Sequence, residues 1–165
     1  VAYGQAEQLT HSQVEAQGAA MRNIQTRFGE VEYNPENIIN FPEGVIGFKD
    51  LHEFIVMPNE KPGPLFWFQS LEDPEVAFLL TDPTNFFLEY RVVPDNDERK
   101  KLGMRKNDQV HVLSVVSLHQ DRSITLNLQA PVLFASHSNR ALQVILEKTS
   151  YSTREALPQV EKKTE

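Results

Sequence analysis

Cysteine is missing from all 165 residues. This excludes a disulfide framework, a thiolate zinc site, an iron–sulfur cluster held by Cys and a cysteine nucleophile. Long hydrophobic runs are missing as well, and no uninterrupted apolar stretch approaches the roughly 20 residues that a membrane-crossing helix requires. Residues 1–20 carry no Lys or Arg and no apolar run of the kind that marks a signal peptide, so a cytoplasmic location is expected. Positive charge is in deficit: 16 Lys and Arg stand against 23 Asp and Glu, for a formal net charge of −7. Such a balance speaks against a protein whose main task is holding phosphate backbones, and suits one that attracts a basic partner at long range.

What remains is the composition of an ordinary globular chain, 40% hydrophobic and 24% charged, of a length that suits one domain. Residues 1–20 are rich in Ala, Gln and Glu and poor in large apolar groups; they read as a flexible tail of the kind an expression vector can contribute. The domain is expected over 21–157, with a polar C-terminal tail at 158–165. Within it the apolar signal comes in short pieces rich in aromatic and β-branched residues: 24–28, 31–33, 38–41, 54–57, 65–69, 76–81, 86–93, 110–118, 123–129, 131–134 and 142–146. Pro and Gly punctuate the intervals. A helix is expected where Asp95 to Glu98 supply capping and acidic residues before Arg99-Lys100-Lys101-Leu102 and Gly103 supplies a stop. Residues 150–157 suggest a second short helix. The expected fold is therefore mainly β, a compact antiparallel barrel or barrel-like sandwich with one or two short helices.

No catalytic constellation assembles from the residues. The five histidines, His11, His52, His111, His119 and His137, lie far apart without HxH or HExxH spacing, so no metal or other cofactor is expected. Ser114 and Ser117 sit in a strand pattern without a nucleophile elbow. The acidic stretch Glu72-Asp73-Pro74-Glu75, with Asp82 beyond it, has the makings of a carboxylate pair, but solvated loop charges are the commoner reading. The loop Phe41-Pro42-Glu43-Gly44-Val45-Ile46-Gly47-Phe48 lacks the Lys and Ser/Thr of a phosphate cradle. It reads as structural, with Gly44 and Gly47 shaping it and Phe41 and Phe48 anchoring its ends. The basic run Arg99, Lys100, Lys101, Arg105 and Lys106 is the one feature suited to nucleic acid, and it has no interleaved aromatics and follows directly on acids. Such a chain is more often a binding module than an enzyme.

Three stretches together resemble the FliW family of flagellar assembly factors. They are 38–48 (IINFPEGVIGF), 66–83 (FWFQSLEDPEVAFLLTDP) and 123–146 (SITLNLQAPVLFASHSNRALQVIL), in order and at the family's spacing. The likeness runs from about Met21 to Leu157. It departs at Ala141-Leu142, where the family usually has a Gly before Gln-Val-Ile-Leu, and after Pro131, where a Val-Ile-Asn run is common.

The resemblance implies a compact antiparallel barrel and a partner-switching role. A FliW-like protein binds flagellin in the cytoplasm; once flagellin is secreted, it binds the translational regulator CsrA and relieves repression of flagellin translation without occupying the RNA site. The chain is then expected to be monomeric when free, with no direct contact to nucleic acid or membrane. Among the motif residues, Asn127 is expected to satisfy backbone groups near Ala130-Pro131, and Glu72, Asp73, Glu75 and Asp82 to face basic CsrA. An RNA-binding barrel using 99–106 and an unrecognised β-barrel enzyme are the competing readings.

Overall fold

The computed structural model of the protein describes residues 20–158. The two expected tails, apart from Ala20 and Pro158, lie outside the described residues. The strands are β1 (Arg22–Thr26), β2 (Gly29–Tyr33), β3 (Ile39–Asn40), β4 (Glu53–Pro58), β5 (Leu65–Ser70), β6 (Ala77–Thr81), β7 (His111–Leu118), β8 (Ile124–Leu126), β9 (Val132–Ala135), β10 (Arg140–Gln143) and β11 (Glu155–Ala156). One α-helix, α1 (Asn96–Lys101), and 3-10 turns at Pro35–Asn37 and Pro83–Asn85 complete the described elements.

β1 and β2 pair only with each other, as a hairpin. The other strands are ordered β11-β8-β7-β6-β5-β4-β3-β10-β9, and β9 returns to pair with β7. Seven strands therefore close into a ring, from which β8 and β11 extend. The result is a barrel-like sandwich, antiparallel throughout except for one parallel contact between Asn40 and Arg140.

Alternation of side chains decides what the ring encloses. Phe54 and Val56, Phe66 and Phe68, Leu80, Leu113, Val132 and Phe134 pack with Ile39 and Phe41 in the interior cluster. Residues of opposite parity are not left to water. Leu65, Trp67 and Leu79 pack under Phe86, Phe87, Tyr90 and Val92, while Leu133, Ala135 and Leu142 pack with Leu102, Met104 and Val110. Burial on both faces explains why β9 is apolar at every position and shows no polar alternation. The hairpin joins through Phe28, whose ring lies 5.0 Å from that of Trp67, with the Arg27 guanidinium over both.

Two expected elements differ. Residues 86–93 are not a strand: Asp82 caps the 3-10 turn through the Thr84 amide at 2.8 Å, and the amides of Phe86 and Phe87 both turn back to the Pro83 carbonyl. Local Asp-Pro turn chemistry overrides the β propensity of Phe-Phe-Leu-Glu-Tyr, and the segment covers one outer face of the ring instead. Residues 150–157 are not a helix. Ser152 and Glu155 bond nearby backbone amides, and Glu155–Ala156 form β11 against β8. The expected helix does form, as α1. Asp95 and Glu98 exchange backbone and side-chain bonds in a capping box, and Leu102 seals its underside.

Candidate functional site

The first and third motif stretches meet through a hydrogen bond between the Gln143 side chain and the Ile46 amide. The second packs between them, the Phe68 ring lying 6.1 Å from Phe41 and 6.4 Å from Phe134. β7 receives two strands along one edge, β9 at His111–Leu113 and β8 at Val116–Leu118. β8 and β9 are thus one run bent at Asn127–Pro131. The bend would strand main-chain groups, and each partner is supplied from elsewhere. Asn127 Oδ1 accepts from the Ala130 amide at 2.9 Å, Tyr90 Oη donates to the Leu128 carbonyl at 2.7 Å, and Gln143 Nε2 donates to the Ala130 carbonyl at 3.0 Å. Pro131, with no amide to place, sits where the ladder is interrupted. Burial beside Tyr151 pushes the Tyr90 hydroxyl well above the usual phenol range, so it remains a donor.

Gln143 also reaches the first motif: its Oε1 accepts from the Ile46 amide at 3.0 Å. Within that loop the Gly44 amide bonds the Phe41 carbonyl, and Val45 and Phe48 pair across a tight turn. Gly44 (φ +70) and Gly47 (φ +84) both occupy the left-handed region, and a Cβ on Gly44 would lie 2.3 Å from the Lys49 carbonyl oxygen. Phe41 is buried in the ring interior, whereas Phe48 stays 42% exposed and rests its edge on Phe78, and Pro42 is exposed at the turn.

The acidic loop 72–75 is fastened to the same end of the ring. Glu72 Oε1 accepts from the amides of His52 and Glu53, the latter at 2.6 Å. Ser70 Oγ accepts from the amides of Glu72 and Asp73, and Asp73 Oδ1 from that of Glu75 at 3.1 Å. Gln69, wholly buried, donates to the carbonyls of Pro74 and Val76. The three carboxylates are exposed. Asp82 does not join them, because β6 separates the two sites by about 16 Å of strand. It borders a separate pocket of about 330 Å³ with Arg91 and His111. There burial holds the imidazole of His111 below its usual range, against the opposing pull of Asp82.

The basic run is largely consumed locally. Lys101 lies 2.8 Å from Glu43 and 3.1 Å from Asp97, and its ammonium is pushed above the usual lysine range first by the bond to Glu43. Arg99 donates to the carbonyls of Arg105 and Lys106, and Arg105 pairs with Asp108 at 3.3 Å. Among the described residues no group of three or more His, Asp or Glu could hold a metal ion, and no helix is long and apolar enough to cross a membrane. Tyr90 and Gln143 are the two junction residues the motif reading did not single out. Gln143 stands in the quoted Gln-Val-Ile-Leu run, but nothing in the run says that its amide bridges two loops.

The site is thus a set of loops held by side-chain amides and a capped strand break. That places the chain with barrel-like β domains that present loops and edges. The model of the family described as "FliW protein" matches residues 22–157, and the chain belongs to that family. It is 61% identical over 137 residues to the flagellar assembly factor FliW of Syntrophotalea carbinolica, covering 83% of this chain and 98% of that one. Against FliW 2 of Desulfotalea psychrophila it is 51% identical over 142 residues, covering 86% and 94%. A crystal structure of the flagellar assembly factor FliW superposes with a TM-score of 0.77 at 27% identity, over 84% of this chain and 98% of that one. The family is one of assembly factors, not enzymes, and this chain is not an enzyme.

Proposed function

We propose that the chain is a cytoplasmic flagellar assembly factor that binds flagellin and, when free of it, binds CsrA and relieves repression of flagellin translation. The observation that carries this reading is membership of the FliW family across 22–157, with relatives named as flagellar assembly factors at 61% and 51% identity. The structure supports it with exposed carboxylates at Glu72, Asp73 and Glu75 on a loop whose shape is fixed by Ser70 and Gln69. A rigid acidic loop lowers the ordering cost of binding and steers a basic partner. The free protein acts as a monomer and leaves RNA alone: its net charge is −7, and within 99–106 Lys101 is engaged by Glu43 and Asp97, Arg105 by Asp108 and Arg99 by nearby carbonyls.

The test is capture from a lysate of a flagellated host with the tagged chain as bait, followed by mass spectrometry in secreting and secretion-blocked cells. Flagellin should dominate when secretion is blocked and CsrA when it proceeds. Recovery of neither, or of RNA without CsrA, contradicts the proposal.

A further inference from the structure

The outer edge of β10 opens into a groove that no element of the described chain fills. β3 pairs with β10 at a single position, Asn40 with Arg140, and then turns away into the Phe41–Phe48 loop. β10 itself stays extended beyond its last ladder residue: the amides of Val144 and Leu146 bond the carbonyls of Pro131 and Gln129 on the inner side. Alternation then turns the main-chain groups of Gln143 and Ile145 the other way, toward the groove. The groove has a volume of about 600 Å³, with residues 142–148 as one wall and Glu43, Asp95, Glu98 and Lys101 opposite. Proteins usually blunt such an edge with Pro, Lys or a covering loop. Here the edge presents Ile145, 61% exposed, with Ile46, 48% exposed, bonded beside it through Gln143. Unpaired strand groups, an apolar strip and a walled channel are the parts required for addition of a strand.

Charge selects the occupant. Glu43, Asp95, Glu98 and Glu147 face only Lys101 and Lys148, and Lys101 is held by Glu43 at 2.8 Å and by Asp97 at 3.1 Å. We infer that the groove between α1 and β10 docks an extended segment of a partner protein, alternating apolar and basic side chains, as an added strand on 142–146. The inference holds whichever proteins the chain serves. The apolar side chains of the guest lie on Ile145 and Ile46, its basic ones meet the acidic rim, and its main chain pairs with Gln143 and Ile145.

The probe is a fluorescent blocked peptide, Lys-Val-Lys-Val-Lys-Val-Lys, titrated into the full chain by anisotropy. Its counterpart with Glu for Lys, and a version N-methylated at every valine, serve as comparisons. Saturable binding of the Lys peptide is expected, weakened about tenfold or more by N-methylation, as lost main-chain bonds require. Ile145→Pro should weaken it similarly: the proline removes only an outward amide, and the inward bonds of Val144 and Leu146 keep the fold. Glu147→Lys, an exposed change, should weaken it without touching the strand. No binding of the Lys peptide, equal binding of the N-methylated or Glu peptide, or indifference to both Ile145→Pro and Glu147→Lys overturns the inference. Sedimentation of the chain alone completes the test, because a dimer dissolved by Ile145→Pro would make a second copy the occupant and overturn the committed one.

Discussion

The side-chain carbonyl of Asn127 accepts the amide of Ala130 at 2.9 Å, inside the bend that divides one strand run into β8 and β9. The bond lets the run leave one part of β7 and rejoin another without leaving a buried donor unpaired. Replacing Asn127 by Ala strands that amide, and loss of about 1–3 kcal/mol is expected. Urea unfolding should show a lower midpoint with an unchanged slope, since the surface exposed on unfolding is the same. A midpoint equal to that of the parent would show that water replaces the side chain.

Gly44 and Gly47 should separate under substitution. Gly44→Val adds a Cβ that meets the Lys49 carbonyl at 2.3 Å on top of a positive φ. Overlap and strain together should cost about 3 kcal/mol or more. A Cβ on Gly47 meets nothing within 4 Å, so Gly47→Val should cost only the strain of about 1–2 kcal/mol, and Gly47→Asn less. Thermal melts of the three variants check the order. Melting like the parent combined with lost flagellin binding would make the loop a contact surface.

His111 makes stability depend on pH on the acid side. Burial holds its folded pKa below the ordinary value, so its stabilising neutral form is fully present above about 6.5 and the contribution is lost as pH falls toward the lowered folded value. Melting temperature should therefore drop between neutral and mildly acid pH, and drop less for His111→Gln. Identical pH profiles for the two would mean that the imidazole titrates alike in folded and unfolded chains.

The acidic loop should steer association with CsrA. Asp73→Asn, which keeps the acceptor for the Glu75 amide, with Glu75→Lys should slow association and reduce its salt dependence, because exposed rim charges act chiefly on encounter. Glu72 needs Glu72→Gln, which removes charge but keeps an acceptor for the His52 and Glu53 amides. Reversal at Arg99 and Lys100 should leave the association rate unchanged. Surface plasmon resonance at several salt concentrations measures both sets.

Most strands were legible because short β-branched and aromatic runs between Pro and Gly have few alternatives. The interior residues of β4, β5 and β9 could be placed on strands, but period could not assign their faces, since the ring buries both sides of β9. Residues 86–93 have genuine strand propensity, but the Asp82-Pro83 turn bends the chain before them and lays them over an outer face of the ring. Residues 150–157 look helical by composition, yet Ser152 and Glu155 bond the nearby backbone. The motif stretches were legible as patterns, and their roles were not. That Gln143 joins the Ile46 amide to the Ala130 carbonyl depends on contacts 97 and 13 residues away in sequence. Asp82, grouped with 72–75 by sequence nearness, is set apart by the length of β6.

The central claim is partner exchange without RNA contact. The direct measurement is a competition titration in which the chain, pre-bound to labelled CsrA from its host, receives purified flagellin, with a flagellin leader RNA titrated in parallel against the chain alone. The account predicts that flagellin releases CsrA stoichiometrically while the RNA does not bind. CsrA that never binds, or RNA bound tightly through Arg99–Lys101, would contradict it.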